Sequence, residues 1–454
     1  MAAIQQAPEI SPSVGISWRS NFAWALSGNV VYAACQWGMV VALAKLGNSF
    51  MLGQFSLGLA IATPVLMLAN LQLRAAQATD AQHHYSFGEY LGLRIVTTSI
   101  GITAIALIAC TGRYERDTAM VILGVGLIKG IEAFSDIFYG LFQLHDHLDQ
   151  VGKSMIFRGA ASLIALGAGL YAMRRLVWGL VALAAAWFTV LLCFDARRGQ
   201  RFAQLETTGP HAQWKGGWQS VKPKFHLRRQ WKLARLTLPL GIVMTLVSLN
   251  LSMPRYFIHM SLGEHQLGIF SAMVYTTVAV ATFADALGHS TIPRMSRMYA
   301  SGQLAWFRES LLKLVALGAG LGLAGFAVAR SFGPQLLTIL FGAEYAAHTE
   351  VFVWLVMAAG ISCIASLLSF GITSARCFRV QVPMFLIVVA SNALACARLI
   401  PTRGLVGAAL AMVVASLVHL TAATGILLYV LSSQAKNAAF IKPAEIYCNE
   451  WERL

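Results

Sequence analysis

Leu52-Gly53-Gln54-Phe55-Ser56 and Leu267-Gly268-Ile269-Phe270-Ser271 are two copies of one short pattern, Leu-Gly-x-Phe-Ser, set in opposite halves of the chain. Each opens a long apolar stretch shortly after a Leu-Gly pair, Leu46-Gly47 or Leu262-Gly263. Each is followed further along by an arginine, Arg74 or Arg294. The shared context makes the pair read as one membrane unit used twice. Internal repeats in a membrane protein place a pathway at their interface, where one half rocks against the other and exposes it to alternate sides. The repeat therefore predicts the plan of a transporter.

Composition agrees. Of 454 residues, 57% are hydrophobic and 12% charged, with a mean hydropathy of +0.65, whereas soluble proteins carry about 25% charged residues. An apolar helix of about twenty residues crosses the hydrocarbon layer, and about twelve such stretches can be read. They lie near 22–44, 50–71, 90–110, 119–143, 154–173, 176–195, 233–253, 265–289, 309–330, 350–374, 381–400 and 404–431. Met173-Arg174-Arg175 alone separates the fifth from the sixth, which predicts a tight helical hairpin. Membrane β-strands alternate in polarity along their length; Leu180 to Leu192 does not. The expected fold is an all-α polytopic membrane protein, its helices in two pseudo-symmetric six-helix bundles around a central cavity. The expected division is an N-terminal segment (1–20), a first bundle (21–195), a basic linker (196–232), a second bundle (233–431) and a tail (432–454).

The formal net charge is +15. Short cytoplasmic loops hold the excess of Lys and Arg, and most of these residues fall on one face if both termini are cytoplasmic. The linker is the densest run, with Arg197, Arg198, Arg201, Lys222, Lys224, Arg228, Arg229 and Lys232 interleaved with Trp214, Trp218, Phe225 and Trp231. Beside a membrane such a run rests on anionic lipid headgroups rather than on nucleic acid. The first twenty residues hold one base, Arg19, and no short apolar core ending in a cleavage site, so the first span is expected to be retained. Seven scattered cysteines, none in a Cys-x-x-Cys pair, read as buried hydrophobes rather than disulfides or metal ligands.

Polar residues within the spans carry the functional signal. Lys129, Glu132 and Asp136 share a helical stripe in the fourth span. Ionisable groups at membrane depth are costly unless paired or hydrated. They are therefore expected either to knit helices together or to face the cavity, where Glu132 or Asp136 would bind a coupling proton or sodium ion. In the eighth span Thr282, Asp285 and His289 form a second stripe, a proton relay or a hydrated helix end. In the first span Asn29, Tyr32 and Gln36 are placed either to meet sugar hydroxyls or to bond across helices. Arg255, near Asn250, suits an anionic group better than packing.

Three enzyme-like patterns fail on context. His145-Asp146-His147-Leu148-Asp149 lies in a short wet loop, not in a metal cage. Gly124-Val125-Gly126 has neither a preceding strand nor a P-loop lysine. No nucleophile elbow or Ser/His/Asp set stands in a loop large enough to fold around a substrate; the longest outer loop is expected at 331–349. No cofactor is expected.

The segment Asn70-Leu71-Gln72-Leu73-Arg74 with Gln77-Ala78-Thr79-Asp80 resembles bacterial polysaccharide flippases of the multidrug/oligosaccharidyl-lipid/polysaccharide exporter superfamily. So do Gly140-Leu141-Phe142-Gln143 running on to Ser154 and Arg158-Gly159, Leu238-Pro239-Leu240-Gly241, and Pro254-Arg255-Tyr256-Phe257. Further matches are Leu262-Gly263-Glu264, Pro293-Arg294, Phe341-Gly342-Ala343-Glu344-Tyr345, Ala375-Arg376 with Phe378-Arg379, and Gly404-Leu405-Val406-Gly407. The resemblance runs over nearly the whole chain. It departs at His145 to Asp149, where the family often has Glu-Arg-Met-Asp.

The resemblance implies two lobes around a cavity that opens alternately, in the bacterial plasma (inner) membrane. Undecaprenyl-diphosphate-linked oligosaccharide would cross through it for surface-polysaccharide biosynthesis, beside a polysaccharide polymerase and glycosyltransferases. Arginine binds phosphate oxygens in bidentate, charge-assisted fashion. Arg74, Arg158, Arg255 and Arg294 are the matched phosphate candidates, the other reading of Arg74, Arg158 and Arg294 being positive-inside anchoring. A cation-coupled drug exporter of the same fold would want an acidic, aromatic cavity. A membrane enzyme on the same lipid-linked sugars would usually want a large outer loop.

Overall fold

The computed structural model describes residues 18–80, 83–208, 221–375 and 377–438. The first half comprises α1 (Trp18–Leu46), α2 (Ser49–Asn70), α3 (Leu73–Ala78), α4 (Phe87–Thr111), α5 (Arg116–Leu144), α6 (Leu148–Met173) and α7 (Leu176–Val190). A π-helical turn, Leu191–Ala196, joins α7 to α8 (Arg197–Thr208) within the linker. The second half comprises α9 (Leu227–Ala300), α10 (Leu304–Leu340), α11 (Ala343–Ala346), α12 (Thr349–Ser374) and α13 (Phe378–Ala438).

Nine stretches among the described residues are long and apolar enough to cross a membrane. Two of them, in α9 and α13, are more than twice the length one crossing needs, and each turns at a glycine. Gly263 has φ 83° and Gly404 φ 57°, conformations that glycine adopts without a Cβ clash. A further crossing is α5, which at 29 residues is long enough to span the hydrocarbon layer and carries Lys129, Glu132 and Asp136. The fold is thus the twelve-crossing all-α bundle expected from the sequence.

One sequence expectation is corrected. The stretch 331–349 is not a loop, because α10 continues to Leu340 and α11 follows almost at once. Gly333 and Pro334 read as helix breakers, but Gly333 packs against the Thr349 side chain, where a Cβ would come within 2.8 Å. Close packing overrides the local breaker signal.

The helices define two faces. The basal face carries the described chain ends, the α3–α4 and α5–α6 loops and the start of α9; the distal face carries the α1–α2 and α4–α5 turns, Gly263, α11 and Gly404. Lipid is as apolar as leucine, so helices here associate by close packing of small residues. Gly28 on α1 faces Gly152 on α6 so tightly that a Cβ on Gly28 would stand 2.5 Å from the Gly152 Cα. Ile164, Leu323 and Leu428, at 70%, 71% and 63% exposure, project outward, where a bilayer rather than water solvates them.

The duplicated pattern lies at the crossing of α2 with the second arm of α9. A Cβ on Gly53 would meet the Glu264 carbonyl oxygen at 1.8 Å, and one on Gly268 would meet that of Ser49 at 1.7 Å. Ser49 and Glu264 hold the same place in their respective copies, so the contact is reciprocal, the signature of two-fold pairing. At its centre the Ser56 and Ser271 hydroxyls, again equivalent, lie 2.5 Å apart.

Candidate functional site

Hydrogen bonds seal the halves together on the distal side of that crossing. The Gln54 amide donates to the Thr118 hydroxyl at 2.9 Å, which donates to Glu264 at 2.7 Å. Glu344 accepts from Ser49 at 3.3 Å and pairs with His265 at 2.9 Å. Lys45 donates to the Ile339 carbonyl at 2.8 Å, and the Tyr256 hydroxyl to the carbonyl of Ala60. Across the basal face α4 is tied to the linker and the start of α9: the Lys224 N–H donates to the Gly88 carbonyl at 2.8 Å, and Arg229 pairs with Glu89 at 3.1 Å.

Beneath the seal lies a cavity of about 260 Å³, walled mainly by the first half and met by Arg255 and Tyr275 of the second. Tyr32 and Gln36 enter it from α1, Lys129 and Glu132 from α5, Trp187 from α7, and Arg255 and Tyr275 from the two arms of α9; Phe55, Leu59 and Ile128 supply apolar wall. Glu132 is matched, accepting from Lys129 at 2.7 Å and from the Tyr32 hydroxyl at 3.2 Å. Two buried donors have no acceptor: Nε2 of Gln36 and Nε of Arg255. The Arg255 guanidinium stands 5.8 Å over the Tyr275 ring. An unmatched donor away from water costs about 1–3 kcal/mol, and both of these belong to residues of the lining.

Arg158 does not line the cavity. It is buried behind Trp187, 5.0 Å over that ring and 5.4 Å from the Tyr139 ring, and its guanidinium lies 3.7 Å from Asp195. Asp195 accepts from Ser154 at 2.5 Å, and Ser154 also pairs with Tyr139 at 2.8 Å. Closer to the basal face Asp136 sits between Arg74 at 3.2 Å and Arg94 at 3.5 Å. Arg94 is fully buried and also donates to the Asn70 carbonyl at 3.2 Å. Removing one partner of a buried pair leaves the other uncompensated, at about 3–5 kcal/mol. Asp136 keeps some exposure, so Asp136→Asn is expected at the low end, about 3 kcal/mol, read as a lower thermal unfolding midpoint in detergent. A midpoint equal to wild type would contradict this account of Arg94.

The structure therefore gathers Gln36, Lys129, Glu132 and Arg255 at one cavity and distributes the other candidates. Asn29 is exposed one turn before Tyr32 and donates to its own helix at the Ala25 carbonyl, 2.8 Å. Arg74 and Asp136 pair outside the cavity, and Arg294 is exposed on the basal part of α9. Asp285 and His289 belong to α9, but their side chains lie outside the described residues. Sequence reasoning missed Arg94, Asp195, Trp187 and Tyr275. Arg94 alone had a clear signal, a charge inside an apolar span.

The α3–α4 loop is pinned by Asp80, which accepts from the His84 and Tyr85 N–H groups at 3.0 Å each, the His84 ring at 3.1 Å and the Tyr90 hydroxyl at 3.3 Å. Burial pushes its carboxyl up, but these bonds outweigh it and hold it below the ordinary carboxylate value. A depressed folded value gives stability that is present above the unfolded value, about 3.9, and lost as pH falls through the folded one. The loop is expected to hold at neutral pH and loosen only in strong acid. Asp80→Asn should speed amide exchange at His84 and Tyr85 at pH 7 by about fivefold, the worth of one hydrogen bond of about 1 kcal/mol; unchanged exchange would contradict this.

No family model matches the chain. In sequence it is similar to the capsular polysaccharide biosynthesis protein CapF of Staphylococcus aureus, 24% identical over 406 residues, which span 88% of this chain and 96% of the relative. It is also similar to the EPS I polysaccharide export inner membrane protein EpsE of Ralstonia nicotianae, 26% identical over 288 residues, 63% of this chain and 60% of the relative. Among solved structures, the lipid II flippase MurJ in an inward closed conformation matches with a TM-score of 0.68 at 9% identity, covering 92% of this chain and 91% of MurJ. An inward-facing MATE family multidrug resistance transporter of the MOP superfamily matches with a TM-score of 0.59 at 14% identity, covering 94% and 97%. At such identities the structures establish the fold.

The fold is the one that MurJ and the MATE transporters share, and its long apolar helices make the chain a multi-pass membrane protein. In sequence and fold together the chain resembles the polysaccharide flippases of the multidrug/oligosaccharidyl-lipid/polysaccharide exporter superfamily.

Proposed function

We propose that this protein flips undecaprenyl-diphosphate-linked oligosaccharide or polysaccharide precursors across the bacterial plasma membrane by alternating access, for cell-surface polysaccharide biosynthesis. The observation that carries the reading is that two residues of the lining, Gln36 and Arg255, each hold a buried donor without a protein acceptor, Nε2 and Nε, beside a cavity whose carboxylate is already satisfied by Lys129 and Tyr32. A diphosphate offers the acceptor oxygens those donors lack. Tyr32, Trp187 and Tyr275 give flat faces on which a sugar ring rests, and the lipid tail stays outside in the bilayer. A cavity of about 260 Å³ suits a diphosphate and its first sugar; a longer glycan requires the basal side to widen.

The cation-exporting alternative, favoured by the MATE likeness in fold, needs an available carboxylate, and Glu132 is engaged on both oxygens. In the flippase reading Glu132 and Asp136 are the coupling-ion candidates. Both termini are then cytoplasmic, and polymerase and glycosyltransferases are the expected partners.

The test is binding in nanodiscs of a fluorescent undecaprenyl-diphosphate glycan against the same glycan joined to the lipid without phosphate. Tight binding of the first with at least tenfold weaker binding of the second is expected. Equal binding of both, or displacement of the first by a hydrophobic cation, would shift the reading to drug export.

A further inference from the structure

A second cavity, of about 800 Å³, lies at the basal face and shares no lining residue with the central one. It is a groove between α3 with the α3–α4 loop on one side and the first turns of α9 on the other. Along α9 its wall is the stripe Arg229, Lys232, Leu236 and Leu240, spaced as neighbours on one helix face. The stripe is cationic at the basal end and apolar toward the membrane interior. Ala75 and Ala76 of α3 face the apolar part. Leu236 and Leu240, at 68% and 43% exposure, leave it open to the bilayer, and the groove ends about where Gly241 packs on Leu71.

We propose that this groove is a binding site for an anionic, phosphate-bearing bilayer phospholipid, its headgroup at Lys232 and Arg229 and its acyl chain along Leu236, Leu240, Ala75 and Ala76. Three observations support a lipid over a soluble anion. The change from charge to hydrocarbon along the groove follows the depth profile of a lipid, and Lys232 stands at the start of the membrane span, the level of headgroup phosphates. One cation is free to meet an anionic head: Lys232 is exposed and has no ion-pair partner among the described residues, while Arg229, paired with Glu89 at 3.1 Å, bonded to the His84 carbonyl and stacked 5.5 Å over Tyr85, is a fixed donor at its rim. The lone carboxylate in the wall, Asp80, is saturated by four donors that point away any need for a cation. The proposal needs only the membrane location and is independent of what the central cavity carries.

The test is native mass spectrometry of the full-length protein with phosphatidylglycerol, phosphatidylcholine and undecaprenyl phosphate as probes. Phosphatidylglycerol is expected to stay bound to the wild type. Lys232→Ala should weaken it about fivefold, the worth of one cation near a membrane surface, and Lys232→Glu more. Leu236→Glu, at an exposed position that folding tolerates, should abolish binding by placing a charge on the acyl path. Lys313→Ala, which removes an exposed cation on α10, should change nothing. Retention unaltered by all the groove variants, or phosphatidylcholine held as firmly as phosphatidylglycerol, would overturn the proposal. So would groove-dependent binding of undecaprenyl phosphate without phosphatidylglycerol, which would make the groove a cargo site. Only the last of these outcomes touches the path of the cargo; the others leave flipping through the central cavity as it stands.

Discussion

Gly53→Val and Gly268→Val are each expected to abolish transport while leaving the protein inserted in the membrane. Both glycines bring α2 and the second arm of α9 into backbone contact, where even one added carbon would stand less than 2 Å from a carbonyl oxygen. A carbonyl in a helix cannot yield as a side-chain tip can, so the helices must separate, and the distal bonds through Gln54, Thr118 and Glu264 lose their geometry. A valine there costs several kcal/mol of the sealed state, more than the about 5.5 kcal/mol that carries a two-state equilibrium from 1:99 to 99:1 if the clash is unrelieved. The protein should rest open on the distal side, with cysteines introduced at Ser56 or Ser271 modified from that side by an impermeant thiol reagent. Because the contact is reciprocal, the two variants should behave alike. A Gly53→Val protein that transports normally would refute this account of the seal, and one that fails beside an active Gly268→Val would refute the two-fold reading.

The second large effect is expected at Arg255. Losing a charge-assisted bond to phosphate costs about 1.5–3 kcal/mol, so Arg255→Gln should weaken binding of the diphosphate-linked glycan by about 10- to 100-fold. Gln36→Leu, which removes a neutral donor, should cost nearer fivefold, at about 1 kcal/mol. If both donors grip one diphosphate, the double variant will deviate from the product of the single effects, since groups sharing a partner are not additive. Gln36 Nε2 and Arg255 Nε have no protein acceptor to lose, and Arg255 gives up only its place 5.8 Å over the Tyr275 ring, so unfolding midpoints should fall by less than the loss in glycan binding. A large drop in midpoint with unchanged glycan affinity would reassign both residues to helix packing.

Several of these residues were legible in the sequence. The repeated Leu-Gly-x-Phe-Ser pattern marked a unit used twice, but that its glycines are where the backbones of α2 and α9 meet is seen only in the structure. Helical spacing placed Tyr32 with Gln36 and Lys129 with Glu132, since residues three or four apart share a face whatever the helix packs against. Periodicity does not say which neighbour that face meets. Asp136 continues the stripe of Glu132 by one turn, yet it meets Arg74 and Arg94 rather than the cavity. Asn29 continues the stripe of Gln36 toward the basal end and is likewise outside the lining. Trp187 and Tyr275 read as ordinary apolar residues of their spans, and only the three-dimensional packing brings both to one wall. Asp195 closes the sixth apolar stretch of the sequence, which says nothing of its neighbours; the π-helical turn at Leu191–Ala196 and the helix beyond it leave it buried against Arg158 and Ser154.

Flipping in sealed vesicles tests the central claim most directly. The reconstituted protein would be given a fluorescent undecaprenyl-diphosphate oligosaccharide, and its transfer read by protection from a membrane-impermeant quencher, with and without proton or sodium gradients. The predicted result is protein-dependent transfer of the intact lipid that Arg255→Gln and Gly53→Val suppress. Absence of transfer with several glycans, together with gradient-driven uptake of a small organic cation by the same vesicles, would contradict it.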